Sequence, residues 1–388
     1  MIDEKRLVEE FLELVRVDSE SGREGPIASL LKAKLEKLGL DVREDDAARK
    51  TGHGANNLVA TLRATDPDPA VPKIFFACHM DTVRPGSSVR PRLDDDGYIR
   101  SDGTTVLGSD DKAGIAALLE MVRVLRERSI PHGQIQLLLT VGEESGLVGA
   151  KALDPSLLDA QFGYALDSNG KVGDIAVAAP SQAKIRIAFI GRAAHAGVNP
   201  EDGISAIQVA SKAVARMRLG RIDAETTANV GRFEGGGETN IVCERVDVYA
   251  EARSLDPHKL EKQVASMRAA SEEAAREHGA TMEFVSEIVF PSFRFDESAP
   301  VVRYASAAAR AIGRTPKLFQ TGGGSDANIL NGYGFPTVNL AVGYENIHTT
   351  KEQIAVSELV AAARWAVAIA EEVRRSAGNS GNGEQKSV

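Results

Sequence analysis

The chain has 388 residues, of which 43% are hydrophobic and 26% are charged, and its formal net charge at pH 7 is −9. This length and composition are typical of a globular protein with two domains. The acidic balance argues against nucleic acid or an anionic membrane surface as a partner, and no apolar run is long enough to predict a membrane span.

Two features point to a cytoplasmic protein. The N-terminal segment Met1–Lys5 lacks the basic-then-apolar order of a secretory signal peptide. The two cysteines, Cys78 and Cys243, both lie in apolar, strand-like runs. We therefore expect two buried thiols rather than a disulfide, which fits a reducing cytoplasm.

The N-terminal part predicts helices followed by strands. Hydrophobic periodicity predicts amphipathic helices over residues 2–17 and 25–38. Short apolar runs then predict strands over 41–44, 57–62 and 73–78. The Asp- and Pro-rich segment Thr65–Pro72 is interpreted as a hairpin-like loop between the last two of these strands.

The third predicted strand runs into His79 and Asp81. Side chains two residues apart on a strand point to the same face, and open α/β sheets usually carry their sites at the carboxyl ends of strands. A metal-binding histidine with an acid behind it fits this pattern. The alternative is a core histidine followed by a turn-forming aspartate.

More carboxylates follow apolar runs further along the chain. Asp110 and Asp111 precede a helix that is predicted to end near Glu127, where an acidic N-cap is the plain structural alternative. Glu143 and Glu144 follow a strand predicted over 134–141, and a surface turn is their alternative. Adjacent acids beside a buried strand are costly unless a positive charge meets them.

Asp167 repeats the pattern after a predicted strand over 162–166. Beyond it the order of elements changes to strand, helix, two strands, helix and strand, which resembles the split βαβ arrangement. In this part, one strand is predicted to carry Gly235–Val242. After residue 293 an α/β pattern returns, with a glycine loop at 321–327 and a last helix over 356–375.

The predicted fold class is therefore α/β. A mixed-sheet catalytic domain with helices on both faces carries an inserted, smaller α+β lid or dimerisation domain. The predicted boundaries are 1–180 and 294–377 for the catalytic domain, 181–293 for the insertion, and 378–388 for a disordered polar tail.

Taken in order, these motifs resemble the co-catalytic dizinc peptidase family that includes peptidase T, acetylornithine deacetylase and the carboxypeptidase G type. The resemblance spans nearly the whole chain and is nearest to peptidase T-like members, through the sequence Gly-Ser-Asp-Asp-Lys-Ala-Gly and the aspartate at 167. The motifs that carry it are His79-Met80-Asp81, Gly108–Lys112, Glu143-Glu144, Asp167, His195-Ala196-Gly197, Glu251-Ala252-Arg253 and His348.

The resemblance implies two divalent metal ions per chain. One ion would be held by His79, Asp110 and Asp167, and the other by Glu144, Asp110 and His348, so that Asp110 bridges the two. Zinc suits these ligands best, and Mn²⁺ or Co²⁺ would also fit. The family also implies a cis peptide bond between Asp110 and Asp111.

The same resemblance implies catalytic roles. Asp81 would bind the far nitrogen of His79. Glu143 would act as general base on a water activated by the two metal ions, and would then protonate the leaving amine. His195 would stabilise the oxyanion, from its own chain or from the partner subunit of a dimer.

Substrate contacts are implied in the insertion and in the glycine loop. Arg253 would grip the substrate carboxylate, with a surface ion pair as its alternative, and Asn240 would line the same pocket. Gly323 and Gly324 would offer backbone N–H groups to a carboxylate.

The predicted function is thus hydrolysis of small peptides by an aminopeptidase or tripeptidase-like enzyme. The alternative is an N-acyl amino acid deacylase or carboxypeptidase of the same fold. A homodimer through the inserted domain remains open. A non-catalytic binding module would require a missing ligand or base, and none is missing from the motifs.

Overall fold

The computed structural model describes residues 1–380, which form two compact units. The first unit contains Met1–Val177, Phe295–Gln320 and the chain from Ser325 onward, and the second contains Ala178–Arg294 with Thr321–Gly324. The insertion was predicted over 181–293, without the glycine-rich segment. Of the tail predicted to be disordered, 378–380 continue the last helix, and 381–388 lie outside the described residues.

The α-helices within residues 1–380 are α1 (Glu4–Arg16), α2 (Gly25–Lys37), α3 (Ala47–Thr51), α4 (Ser109–Glu127), α5 (Val148–Ala152), α6 (Ala206–Arg216), α7 (Pro257–Glu277), α8 (Pro300–Ala311), α9 (Asp326–Gly332) and α10 (Val356–Ser380). Two short 3₁₀ turns cover Pro155–Leu157 and Pro200–Asp202. Among these described helices, none combines the length and apolar character that a bilayer crossing requires.

The strands of the same residues are β1 (Asp41–Glu44), β2 (Leu58–Leu62), β3 (Ile74–His79), β4 (Arg92–Leu93), β5 (Tyr98–Arg100), β6 (Ile135–Thr140), β7 (Phe162–Ser168), β8 (Asp174–Ala179), β9 (Ser181–Ile190), β10 (Gly220–Arg221), β11 (Thr226–Gly235), β12 (Arg245–Ser254), β13 (Thr281–Phe290), β14 (Phe293–Arg294), β15 (Lys317–Gln320), β16 (Thr337–Ala341), β17 (Tyr344–Glu345) and β18 (Gln353–Ala355).

The first unit is built on a mixed sheet in which the order β1-β2-β6-β3-β7-β16-β8 is hydrogen-bonded. Strand β3 runs parallel to β6 and β7, and β16 runs parallel to β7. The carboxyl ends of β3, β6 and β7 therefore meet at one edge of the sheet. All residues of β3 and β6 are buried, which requires cover on both faces, and the predicted α/β fold class is confirmed.

The predicted hairpin at Thr65–Pro72 is wrong. Strands β2 and β3 are not neighbours, because β6 lies between them and pairs antiparallel with β2 and parallel with β3. The segment that joins β2 to β3 therefore crosses over β6 instead of making a tight turn. The residues around β2 and β3 do not indicate that β6, which begins about 70 residues after β2, lies between these two strands.

Helices α4 and α10 form the core layer of the first unit. Helix α4 packs on β3 and β7, and α10 packs on α4 and α8. Trp365 of α10 is buried, and its indole Nε1 donates a hydrogen bond to the carbonyl of Ala305, 2.9 Å away. Gly114 of α4 has no room for a side chain, because a Cβ would lie 2.8 Å from Cys78 Sγ and 2.9 Å from the Leu166 carbonyl. The start of α4 is thereby held close against β3 and β7.

The second unit is a five-stranded antiparallel sheet with the order β10-β11-β12-β9-β13, packed against α6 and α7. Strand β12 alternates between buried and more exposed residues, as a sheet covered by helices on one face requires. The predicted strand over Gly235–Val242 is wrong, because β11 ends at Gly235. Three consecutive glycines offer no side chains for packing, and beyond them Ile241 makes only an isolated bridge with His195.

The two cysteines have different environments. Cys78 is buried in β3, as predicted. Cys243 is only partly buried and lies in the loop before β12, so the prediction of a buried strand position is wrong for this residue. Both thiols are free.

Candidate functional site

His79 is the last residue of β3, and its buried ring stands among carboxylates. Its Nε2 lies 3.1 Å from Asp110 Oδ1 and 3.9 Å from Asp167 Oδ1. Its backbone N–H donates to Asp111 Oδ2 at 3.2 Å. The parallel strand ends predicted from the sequence therefore bring His79 and Asp167 to one place.

Asp110 connects two groups of predicted ligands. While Oδ1 faces His79, Oδ2 lies 3.3 Å from His348 Nε2. The Asp110–Asp111 peptide bond is cis, which confirms the bond implied by the resemblance. Both residues have non-helical backbone angles, although α4 begins one residue earlier. The two oxygens of one carboxylate thus point to two different histidines.

His348 and Glu144 complete the second group. Glu144 Oε1 lies 2.8 Å from His348 Nε2. Ligand atoms of His79, Asp110 and Glu144 all lie within 4.8 Å of one another, a spacing at which a metal ion could be held. The five predicted ligands therefore form one cluster, with Asp110 at its centre.

The electrostatics of the cluster fit a cation. Burial, together with neighbouring carboxylates, raises the pKa of Glu143 and of Asp167 well above the usual range. Burial likewise raises the pKa of Asp111, whose buried Oδ1 has no hydrogen-bond partner among residues 1–380. Histidine and carboxylate side chains that crowd together in this way are the donor set that divalent zinc, manganese or cobalt accepts.

The pKa values of the two histidines are raised as well, which favours their charged form. Hydrogen bonds to Asp110 and Glu144 raise the pKa of His348 to about 10. Burial opposes protonation of His79, but its contacts with Asp110 and Asp81 still raise its pKa well above the usual value. A proton on either ring places a positive charge beside these carboxylates.

Asp81 has contacts that the sequence did not predict. Its backbone carbonyl lies 3.0 Å from His79 Nδ1, whereas its carboxylate Oδ1 is 3.4 Å away. The carboxylate accepts the backbone N–H of Glu143 at 3.0 Å, the N–H of Glu144 at 3.3 Å and the hydroxyl of Ser21 at 2.6 Å. Asp81 thus connects the end of β3 to the turn that follows β6.

His195 and Asn240 lie together in the second unit. The two residues belong to neighbouring segments, since the N–H of Ala196 donates to the Asn240 carbonyl at 2.8 Å. The His195 ring is exposed, and its Nδ1 accepts the N–H of Gly197 at 3.1 Å. Its Nε2 makes no hydrogen bond within the described residues.

The guanidinium group of Arg253 is hydrogen-bonded to residues of the second unit, to which Arg253 belongs. Its Nε donates to Glu251 Oε1 at 2.9 Å, and its Nη1 donates to the Gly322 carbonyl at 3.0 Å. The N–H of Gly323 donates to Thr321 Oγ1 at 3.1 Å. At Gly324 a Cβ would lie 2.2 Å from the Phe290 ring, so packing alone already requires glycine there.

Sequence reasoning missed several residues that hold this cluster. Ser21 binds Asp81, and Glu352 binds the backbone around Asp110. Asp326 is buried beside β6, where its Oδ2 accepts the Thr140 hydroxyl at 2.5 Å. Ser21 and Glu352 lie in polar segments, and Asp326 opens a short helix, where an acidic residue is ordinary. The sequence around these three residues therefore did not indicate that they support the cluster.

A protein-family model and a protein from Bacillus subtilis both match most of this chain. The model described as Peptidase family M20/M25/M40 matches residues 75–372. A Bacillus subtilis relative, named Uncharacterized protein YqjE, is 56% identical over 375 residues, which cover 97% of this chain and 100% of that protein.

Two solved structures are similar in both sequence and fold. The crystal structure of aminopeptidase PepT from Bacillus cereus has 57% identity and a TM-score of 0.92, and covers 96% of this chain and 99% of that one. The crystal structure of a tripeptidase from Staphylococcus aureus has 49% identity and a TM-score of 0.94, with 97% and 100% covered.

Proposed function

The chain belongs to peptidase family M20/M25/M40, and from this membership we propose that it is an aminopeptidase that acts on tripeptides and other small peptides. It is a metallopeptidase that hydrolyses small peptides, in keeping with its family, its candidate metal ligands and its likeness to an aminopeptidase and a tripeptidase. We propose in addition that the enzyme requires a free N-terminus on its substrate and accepts tripeptides.

The observation that carries the proposal is the position of Asp110 between two histidines, 3.1 Å from His79 and 3.3 Å from His348. We assign one divalent ion to His79, Asp110 and Asp167, and a second to Glu144, Asp110 and His348. Zinc is the preferred metal, since histidine and carboxylate ligands suit it. When bound, such ions polarise the scissile carbonyl and acidify water.

Glu143 is proposed as the general base. Its backbone N–H is held by Asp81, and burial raises the pKa of its carboxyl group, which supports uptake of a proton from water. The carboxylate would accept the proton of the attacking water and then deliver it to the leaving amine. Asp81 would orient Glu143 and the ring of His79.

Groups of the second unit are proposed to contact the substrate. His195, whose Nε2 has no partner among the described residues, would stabilise the developing oxyanion. Arg253 would bind the substrate carboxylate with its guanidinium group, and Asn240 would line the same pocket. Gly323 and Gly324 would offer backbone N–H groups, although the N–H of Gly323 would first have to leave Thr321.

Two further properties are part of the proposal. A homodimer through the second unit is supported by the edge strand β13, where Val285 and Ile288 are 61% and 58% exposed. The cytoplasm is supported by the two free thiols. Light scattering of the wild-type chain and of Val285→Lys tests the dimer, since a monomer in both would refute it.

The activity is tested with protein loaded with zinc and assayed on Ala-Ala-Ala, on N-acetyl-Ala-Ala-Ala and on N-acetyl amino acids. We expect turnover of the free tripeptide and loss of turnover when its N-terminus is acetylated. Turnover of acetylated substrates alone would refute the aminopeptidase function and favour the deacylase alternative. Protein treated with a chelator is the control for metal dependence.

A further inference from the structure

A buried glutamate, Glu352, binds the backbone from which Asp110 projects. Its side chain is almost fully buried, and its Oε2 accepts the N–H groups of Leu107 and Gly108, both at 2.8 Å. Its Oε1 accepts the Ser109 hydroxyl at 2.5 Å and the N–H of Asp110 at 3.0 Å. One carboxylate thus receives four hydrogen bonds at the positive end of α4, an arrangement that favours an anion.

Glu352 also belongs to the loop that carries His348. The loop is compact, since the N–H of Glu352 donates to the Thr349 carbonyl at 3.1 Å, and the Thr349 hydroxyl donates to the Asn346 carbonyl at 2.7 Å. The His348 side chain is 49% exposed, so core packing does not fix its position. The loop must therefore hold His348, and Glu352 attaches this loop to the segment of Asp110.

The first group of ligands is held differently. His79 and Asp167 lie on strands β3 and β7 of the central sheet, and the N–H of Asp167 donates to Asn339 Oδ1 at 2.9 Å. Neither residue hydrogen-bonds to Glu352. Loss of Glu352 should therefore disturb the two ligand groups unequally.

We infer that Glu352 is a positioning residue that fixes Asp110 and His348 relative to each other, and thereby sets the affinity of the second metal site. This inference rests on the proposed two-metal function. A carboxylate is needed because all four neighbouring groups are donors. An amide at this position would direct its own N–H groups at two of them.

The test compares Glu352→Gln with the wild-type chain and with Glu120→Gln. Glu120 is a matched control, because it is a fully buried glutamate on α4 that binds Arg6 and the N–H of Asp3, at 3.0 Å, instead of the ligand loops. Metal-free protein is equilibrated at graded free zinc concentrations, and bound zinc is counted by elemental analysis. Hydrogen exchange of residues 107–110 is measured on the metal-free protein.

We expect the wild-type chain and Glu120→Gln each to bind two zinc ions. At each site, the affinity should be the same in the two proteins. In Glu352→Gln the second ion should bind about 10–100-fold more weakly. The first ion should lose less affinity, because it shares only Asp110 with the second site and keeps His79 and Asp167. Amide exchange at 107–110 should be faster in Glu352→Gln alone. Ser109→Ala, which removes only one of the four hydrogen bonds, should weaken the second site by about tenfold and serves if Glu352→Gln does not fold.

Wild-type affinity for the second ion in both Glu352→Gln and Ser109→Ala would overturn the inference. So would an equal loss of affinity at both sites, since Glu352 would then act through the shared ligand Asp110 and not on the loop of His348. A wild-type chain that binds fewer than two ions would instead overturn the two-metal function, and is recognised before any variant is compared.

Discussion

Replacement of Asp81 by asparagine tests whether the Asp81 carboxylate, just after β3, holds the Glu143-Glu144 turn after β6 in place. Its Oδ1 accepts the N–H of Glu143, and its Oδ2 accepts the N–H of Glu144 and the hydroxyl of Ser21. Asparagine keeps one oxygen. The Ser21 hydroxyl can rotate to accept from the new amide, but a backbone N–H cannot, so one backbone hydrogen bond is lost in either orientation of the amide.

A hydrogen bond to a charged group contributes about 1.5–3 kcal/mol, so Asp81→Asn should lower the free energy of unfolding of the metal-free chain by about 2–3 kcal/mol. The affinity for metal should fall about 10–100-fold, because Glu144 moves and the ring of His79 loses a neighbouring charge. Turnover should fall as well, because Glu143 is displaced.

The assay combines urea denaturation of metal-free protein, zinc counting and hydrolysis of Ala-Ala-Ala. Asp296→Asn is the control, because Asp296 also accepts a serine hydroxyl and a backbone N–H, both from Ser298, but is exposed to solvent. The control should leave metal content and turnover unchanged. Wild-type stability and metal affinity in Asp81→Asn would refute the reasoning, since the Glu143-Glu144 turn would then not depend on this carboxylate.

Three further predictions concern the metal cluster and the pH dependence of stability. Asp110→Ala should bind at most one metal ion, and equal loading with the wild type would refute the bridging role. Glu143→Gln should keep both ions but lose about 100–10,000-fold in kcat, and near-normal kcat would show that another group is the base. Although burial opposes it, hydrogen bonds from Lys34 and Arg123 lower the pKa of Glu10, so its stabilising effect is present above its unfolded pKa of about 4.3 and lost as the pH falls below that value. The difference in unfolding free energy between wild type and Glu10→Gln should therefore shrink between pH 6 and pH 3 in urea titrations, and a constant difference would contradict this origin.

The candidate metal site was accessible to sequence reasoning because its proposed ligands follow local patterns. His79 and Asp167 lie at or near the ends of apolar strands, and parallel strands bring such ends to one edge of a sheet. The resemblance supplied the partners of these residues, including Asp110 and His348. The predicted positions therefore depended on strand periodicity and on motif order, both of which are properties of short segments.

Other features depend on contacts between distant segments, which a single sequence does not reveal. Strand β6 separates β2 from β3, although the latter two are consecutive in the chain. Glu352 contacts residues about 240 positions earlier, and nothing in its own neighbourhood differs from an ordinary polar loop. The contacts of the Asp81 carboxylate with the turn after β6 belong to the same class, since they join segments about 60 residues apart.

The unequal burial of the two cysteines has a practical consequence for unfolding experiments. Each compact unit contains one thiol, Cys78 in the first and Cys243 in the second. Burial raises the pKa of the Cys78 thiol, so an alkylating reagent should reach it only after the first unit opens, while Cys243 reacts earlier. Mass spectrometry of alkylated peptides would then report the opening of the first unit, with Cys243 as an internal reference for the reagent and no added probe.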